Sequence, residues 1–170
     1  MDPVPFENEL TFETHRQNDT IEEFHRSYED AVTDVRAALG ETHSLWIDGT
    51  SVDADEQFIV RSPGDFDVTI GAFAAGTPDD VDRAVRAAAT AYDEWRHTAV
   101  EDRVEIFRNA VEEFRARKFE LAATVSLENG KNRTEAVADV DEAIDFLRFY
   151  SRELERHDGY DFDTGEPTPG

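Results

Sequence analysis

Apolar residues recur between residues 19 and 40 as Ile21, Phe24, Tyr28, Ala31, Val32, Val35 and Leu39. Steps of three and four place them on one stripe of a helix. Thr20 and Glu23 predict a capping box at its start, and Gly40 its end. The pattern then shortens. Leu45-Trp46-Ile47 runs into Asp48-Gly49, a tight-turn dipeptide, and Ser51-Val52 is expected to return as the second arm of a hairpin. Phe58-Ile59-Val60 and Val68-Thr69-Ile70 predict two further strands, separated by Ser62-Pro63-Gly64-Asp65. This section reads as β-rich and exposed.

The helical period returns at Thr77-Pro78-Asp79-Asp80, where Thr serves as N-cap, Pro as first helical residue and an acid stands third. Val81, Ala84, Val85, Ala88, Ala91, Tyr92 and Trp95 form its stripe, and the chain turns near Thr98. Val104, Phe107, Val111 and Phe114 mark another stripe, continued or resumed by Leu121, Ala122 and Val125 to about Glu128, with Gly130 as a stop. A last helix is expected over about 132–155, carried by Val137, Val140, Ile144, Leu147 and Tyr150. Residues 1–18 hold few periodic signals, and the ending DGYDFDTGEPTPG is turn-rich. The chain thus divides into an extension with a first helix (1–43), short strands (44–76), helices (77–156) and a truncated linker (157–170).

Composition sharpens this picture. With 170 residues, 39% of them hydrophobic and 12 Phe, the chain can bury a core despite a net charge of −23. The acids are spread over every section, which disfavours an acidic tail or a nucleic-acid mimic. Of 17 basic residues all but Lys118 and Lys131 are arginine, the pattern of a surface adapted to high salt. At about 1 M salt the Debye length falls to roughly 3 Å and self-repulsion is screened. The charge also argues against binding nucleic acid or anionic membrane. The start MDPVPFENEL shows no secretory signal and no apolar run is long enough to span a membrane, so a cytoplasmic protein is expected.

The absence of cysteine excludes disulfides, thiolate metal sites and a cysteine nucleophile within these residues. Gly71 to Gly76 followed by Thr77 lacks the lysine of a phosphate loop and reads as a strand ending before a capped helix. No Gly-x-Gly-x-x-Gly occurs, so no dinucleotide fingerprint is present. His15, His25, His43, His97 and His157 are too far apart for a two-histidine metal motif on one helix. No serine has the Gly-x-Ser-x-Gly setting, and Ser126 reads as helix surface. Glu135, Asp139, Glu142 and Asp145 lie at spacings of four, three and three along the last helix. They form either a solvated face or a face from which one acid binds a cationic group in a pocket.

The stretch from Glu128-Asn129-Gly130-Lys131 through NRTEAVADVDEAIDFLRFY resembles the N-terminal part of aldehyde dehydrogenases, where a Glu-x-Gly-Lys turn precedes a long helix. The order LWIDGT, RSPGDFDVTIGAF, TPDDVDRAVRAAATAYDEWR and EDRVEIF is similar to that family's opening strands and first helices. PFENELTF, the early helix and DVDEAIDFLRFY look most like its 1-pyrroline-5-carboxylate dehydrogenase branch. The resemblance implies an α/β fold of which this chain is the N-terminal part, mostly helical with a few short antiparallel strands. Residues 77–156 would then be helices of the N-terminal part of the cofactor domain. The Rossmann core, catalytic cysteine and base would lie beyond the point matching Gly170.

The implied activity is an NAD-dependent oxidoreductase of proline catabolism, converting glutamate semialdehyde to glutamate. A cysteine thiolate attacks the aldehyde, hydride passes to NAD, and a glutamate-activated water hydrolyses the thioester. On this reading the chain alone is inactive, carries no catalytic, cofactor-binding or metal residue, and binds no NAD, which belongs to the full-length enzyme. One residue carries over: Glu142 matches the helix carboxylate that contacts the substrate's α-amino group. A missing C-terminal part or further copies of the chain are the expected partners, with a small aldehyde as substrate of the complete enzyme. The alternatives are another aldehyde dehydrogenase, such as one acting on succinate semialdehyde, or a non-catalytic acidic helical interaction protein.

Overall fold

A computed structural model describes Phe6 and residues 12–160. The first elements among the described residues are α1 (Phe12–Gln17), too short to leave a periodic signal, and α2 (Ile21–Ala38). Thr20 does not cap α2 with its side chain. Asp19 takes a left-handed turn, φ 57°, and Thr20 Oγ1 lies 2.9 Å from His15 Nδ1 instead. The expected capping box is therefore absent, because the hydroxyl is used to close the α1–α2 corner.

Five strands follow: β1 (Thr42–His43), β2 (Leu45–Ile47), β3 (Thr50–Val52), β4 (Gln57–Ser62) and β5 (Asp65–Ala74). β2 and β3 form the expected antiparallel hairpin, Leu45 opposite Val52 and Ile47 opposite Thr50. Asp48 and Gly49 both have positive φ, 54° and 68°, as a two-residue turn matched to strand twist requires. β4 and β5 pair antiparallel. β1, which the pattern did not foretell, joins the other side of β5 in parallel, giving the order β1-β5-β4. Gly71 permits that approach: a Cβ there would come within 3.1 Å of the Glu41 carbonyl and the His43 ring. The glycine thus serves strand packing.

The helices are α3 (Pro78–Trp95), α4 (Val100–Ala116), α5 (Lys118–Asn129) and α6 (Arg133–Arg156), with a closing 3₁₀ turn at Asp158–Tyr160. α3 starts with a complete capping box: Thr77 Oγ1 accepts from Asp80 N at 3.3 Å, and the Asp80 carboxylate accepts from Thr77 N at 3.0 Å. Between α4 and α5 the chain breaks at Arg117, whose guanidinium donates to Glu120 at 2.9 and 2.5 Å.

The core lies where α2, α4, α5 and α6 meet, built from Phe24, Tyr28, Val111, Ala122, Ala136, Val137, Val140 and Ile144. Burial of each large aliphatic or aromatic side chain contributes about 1.5–3 kcal/mol. Phe24 packs edge-on against Phe119, rings 5.7 Å apart, and the buried Tyr28 hydroxyl donates to Ser126 Oγ at 2.5 Å. Ser126 is therefore a half-buried partner that ties α2 to α5. Tyr150, assigned above to the apolar stripe of α6, is 63% exposed. Ser151 is buried in its place, its hydroxyl donating back to the Leu147 carbonyl at 2.5 Å. α3 buries none of its residues fully.

Candidate functional site

α6 is positioned at its start by two devices. Gly130 ends α5 in the left-handed conformation, φ 75°, with Pro63 of the β4–β5 turn so close that a Cβ would meet its ring at 3.2 Å. Asn132 then caps α6, its side-chain oxygen accepting from Thr134 N and Glu135 N at 3.1 Å each. Those contacts satisfy two N–H groups that a helix start leaves without partners. The carboxylates downstream are thereby held in fixed angular positions.

The four acids singled out by spacing do not share one environment. Glu135 and Glu142 are exposed and Asp139 is half-buried, whereas Asp145 is buried. Asp145 accepts from Arg148 at 3.0 Å. A further buried acid, Asp141, lies 2.5 Å from Lys118 Nζ at the start of α5. Spacing could not identify Asp141, because it falls between the residues of the acidic stripe.

Lys131 Nζ is bonded to Asp139. That hydrogen bond holds the lysine above its ordinary pKa, and the charges of Asp139, Glu135 and Glu142 act in the same direction. Glu142 therefore stands on a face that already favours an ammonium group. One turn on, Phe146 is 52% exposed and stacks against Tyr150, ring centroids 6.0 Å apart. Phe149 meets Tyr150 edge-on at 5.4 Å. A carboxylate and exposed rings one turn apart on a helix offer charge for an ammonium and apolar surface for a carbon chain. The exposed rings were missed in the sequence, where Tyr150 was counted as core and Phe146 passed over. The i, i+4 pair of rings was the available signal.

Among the described residues, no three His, Asp or Glu side chains gather in a geometry that could hold a metal ion, and no helix is long and apolar enough to cross a membrane.

The order of a leading helix pair, a β-hairpin and a long helix after a Glu-x-Gly-Lys turn is matched by known proteins. The model of the aldehyde dehydrogenase family matches residues 46–168, and the chain belongs to that family. It is 35% identical over 133 residues to a 1-pyrroline-5-carboxylate dehydrogenase of Bacillus pumilus, covering 78% of this chain and 26% of that protein. With 1-pyrroline-5-carboxylate dehydrogenase 2 of Bacillus subtilis it shares 31% over 151 residues, covering 89% and 28%. Among solved structures, a 1-pyrroline-5-carboxylate dehydrogenase from Thermus with bound NAD has a TM-score of 0.82 at 32% identity, covering 100% of this chain and 31% of that one. The fold is thus an N-terminal portion of the aldehyde dehydrogenase fold. The chain spans about 26–31% of the length of these relatives.

Proposed function

We propose that these residues are the N-terminal part of an NAD-dependent 1-pyrroline-5-carboxylate dehydrogenase, the oxidoreductase that converts glutamate semialdehyde to glutamate in proline catabolism. The observation that carries this reading is the similarity to the Thermus enzyme over the whole chain. It includes α1 and α2, which precede the part matched by the general family model. An early helix pair shared beyond the family-wide core favours this branch over other aldehyde dehydrogenases.

In this reading the work is divided. The sequence has neither a cysteine nor a Gly-x-Gly-x-x-Gly, so the nucleophile and the NAD site are assigned to residues outside it. What this chain contributes is substrate recognition by Glu142. Its carboxylate takes the α-ammonium of the amino-acid aldehyde, while Phe146 borders the carbon chain. The ion pair offsets desolvation that each charge would suffer alone once the site is covered.

The test is a chimera joining residues 1–170 to the remaining length of the Bacillus pumilus enzyme, assayed with glutamate semialdehyde and with a simple aldehyde of similar length. Glu142→Ala is expected to lower kcat/KM for the amino-acid aldehyde about ten- to a hundredfold, the value of one charge-assisted hydrogen bond, and to spare the simple aldehyde. Equal losses for both substrates would reduce Glu142 to a surface position.

A further inference from the structure

Of the four acids spaced along α6, three are already committed. Glu135 accepts from the Asn132 side chain at 2.8 Å, Asp139 from Lys131 and Asp145 from Arg148 at 3.0 Å. Glu142 alone has no hydrogen bond or ion pair among the described residues. A carboxylate left open on a face that also carries a lysine needs a reason, because the lysine is the obvious partner.

Lys131 precedes the cap Asn132, so its stem runs along about two turns of α6 to reach Asp139. Glu142 is near enough for its charge to act on the same ammonium. Asp139 and Glu142 are three apart on one helix, with Cβ atoms about 5–6 Å from each other, a gap that a flexible four-carbon stem closes by rotating its own bonds. Lys131 is also one of only two lysines among 17 basic residues. An arginine fork could bridge both carboxylates, whereas an ammonium is a compact point charge that settles on one. If it settled on Glu142 it would occupy the oxygens that an incoming ammonium needs, and as a tethered group it would compete at a high effective concentration.

We propose that Asp139 is a positioning residue for substrate recognition: by holding the Lys131 ammonium on itself, it keeps that internal cation off Glu142 and leaves the Glu142 carboxylate open to the ammonium of the amino-acid aldehyde. The inference rests on the role proposed for Glu142 above.

The holding itself is tested in the 170-residue chain, where Lys118 and Lys131 are the only lysines. A zero-length carbodiimide joins a lysine amine to a carboxylate that it touches, with loss of water, and peptide mass spectrometry locates the link. The link from Lys131 is expected at Asp139, and in Asp139→Asn it is expected to shift to Glu142. The consequence is tested in the chimera with the Bacillus pumilus enzyme. There Asp139→Asn is expected to raise KM for glutamate semialdehyde about tenfold at nearly unchanged kcat and to spare the simple aldehyde. Asp139→Glu, which keeps the tether, and Asp139→Asn combined with Lys131→Met, which removes the competitor, are expected to restore the lower KM. A Lys131 link that stays away from Glu142 in Asp139→Asn, or a loss that Lys131→Met does not restore, would overturn the inference. Selectivity that responds to Glu142→Ala but not to Asp139→Asn would overturn it and leave the role of Glu142 standing; selectivity that responds to neither would remove both.

Discussion

Lys118 and Asp141 show how much a single contact carries. The Asp141 side chain is 5% exposed and that of Lys118 21%, so removing either leaves a charge with little water to replace its partner. Lys118→Met is expected to destabilise the fold by about 3–5 kcal/mol, read as a shift in the denaturant midpoint. Replacing both with apolar residues of similar size should recover most of that loss. At the start of α3, the Thr77 backbone N–H and then its hydroxyl hold the Asp80 carboxyl below the ordinary aspartate range. A carboxyl depressed on folding contributes stability above its unfolded value, near 3.9, and loses it as pH falls through the lower folded value. Protection of the first-turn amides of α3 against exchange, relative to the unfolded chain at the same pH, should therefore hold at neutral pH and fall only in strong acid. Thr77→Ala should lower that protection at neutral pH by the equivalent of about 1 kcal/mol of lost capping.

Among the elements, α3 is the one whose amphipathic stripe finds no cover within the described residues. Val81, Val85 and Tyr92 are each more than half exposed and Trp95 is 38% exposed. An apolar patch of this kind on a helix marks a surface made for contact. In the proposed enzyme, the remaining length of the protein is expected to pack there. The isolated chain is accordingly expected to bind a hydrophobic dye or to self-associate. Val85→Ser with Tyr92→Ser should reduce that binding while changing stability by no more than about 0.5 kcal/mol per site, since exposed positions contribute little. Dye binding unchanged by the two substitutions would show that α3 is not the patch.

At the scale of the whole molecule the net charge of −23 dominates. Most ion pairs on the helices, such as Arg115 with Glu112 and Arg96 with Asp93, are local and exposed, and pairs of that kind are worth little. Unscreened repulsion therefore outweighs them at low ionic strength. The melting temperature is expected to rise steeply with potassium chloride from about 10 mM to above 1 M, as the Debye length falls from roughly 30 Å to 3 Å. A flat or falling curve would remove the argument for adaptation to high salt. Purified protein in high salt, given NAD and glutamate semialdehyde, is also expected to form no NADH above background.

The sequence by itself determined α2, α3 and α6, the helical stretch that the structure breaks at Arg117 into α4 and α5, the Asp48-Gly49 hairpin, the Thr77 capping box and the stop at Gly130. Each follows from residues close in sequence, whose spacing or backbone preference leaves one local solution. The resemblance in LWIDGT and the Glu128-to-Lys131 turn led in the same way to the family. Tertiary structure alone decided which face of each element is covered. α6 packs against both α4 and α5, so its buried arc is wider than the apolar stripe. Asp141 and Asp145 are drawn into that arc with Lys118 and Arg148, while Glu142, Phe146 and Tyr150 are left outside it. Thr20 turned to His15, and β1 formed as a two-residue parallel partner of β5, because of neighbours distant from any local pattern. Periodicity fixes the angle at which a side chain leaves a helix. Only the arrival of other elements fixes whether it meets protein, water or a ligand.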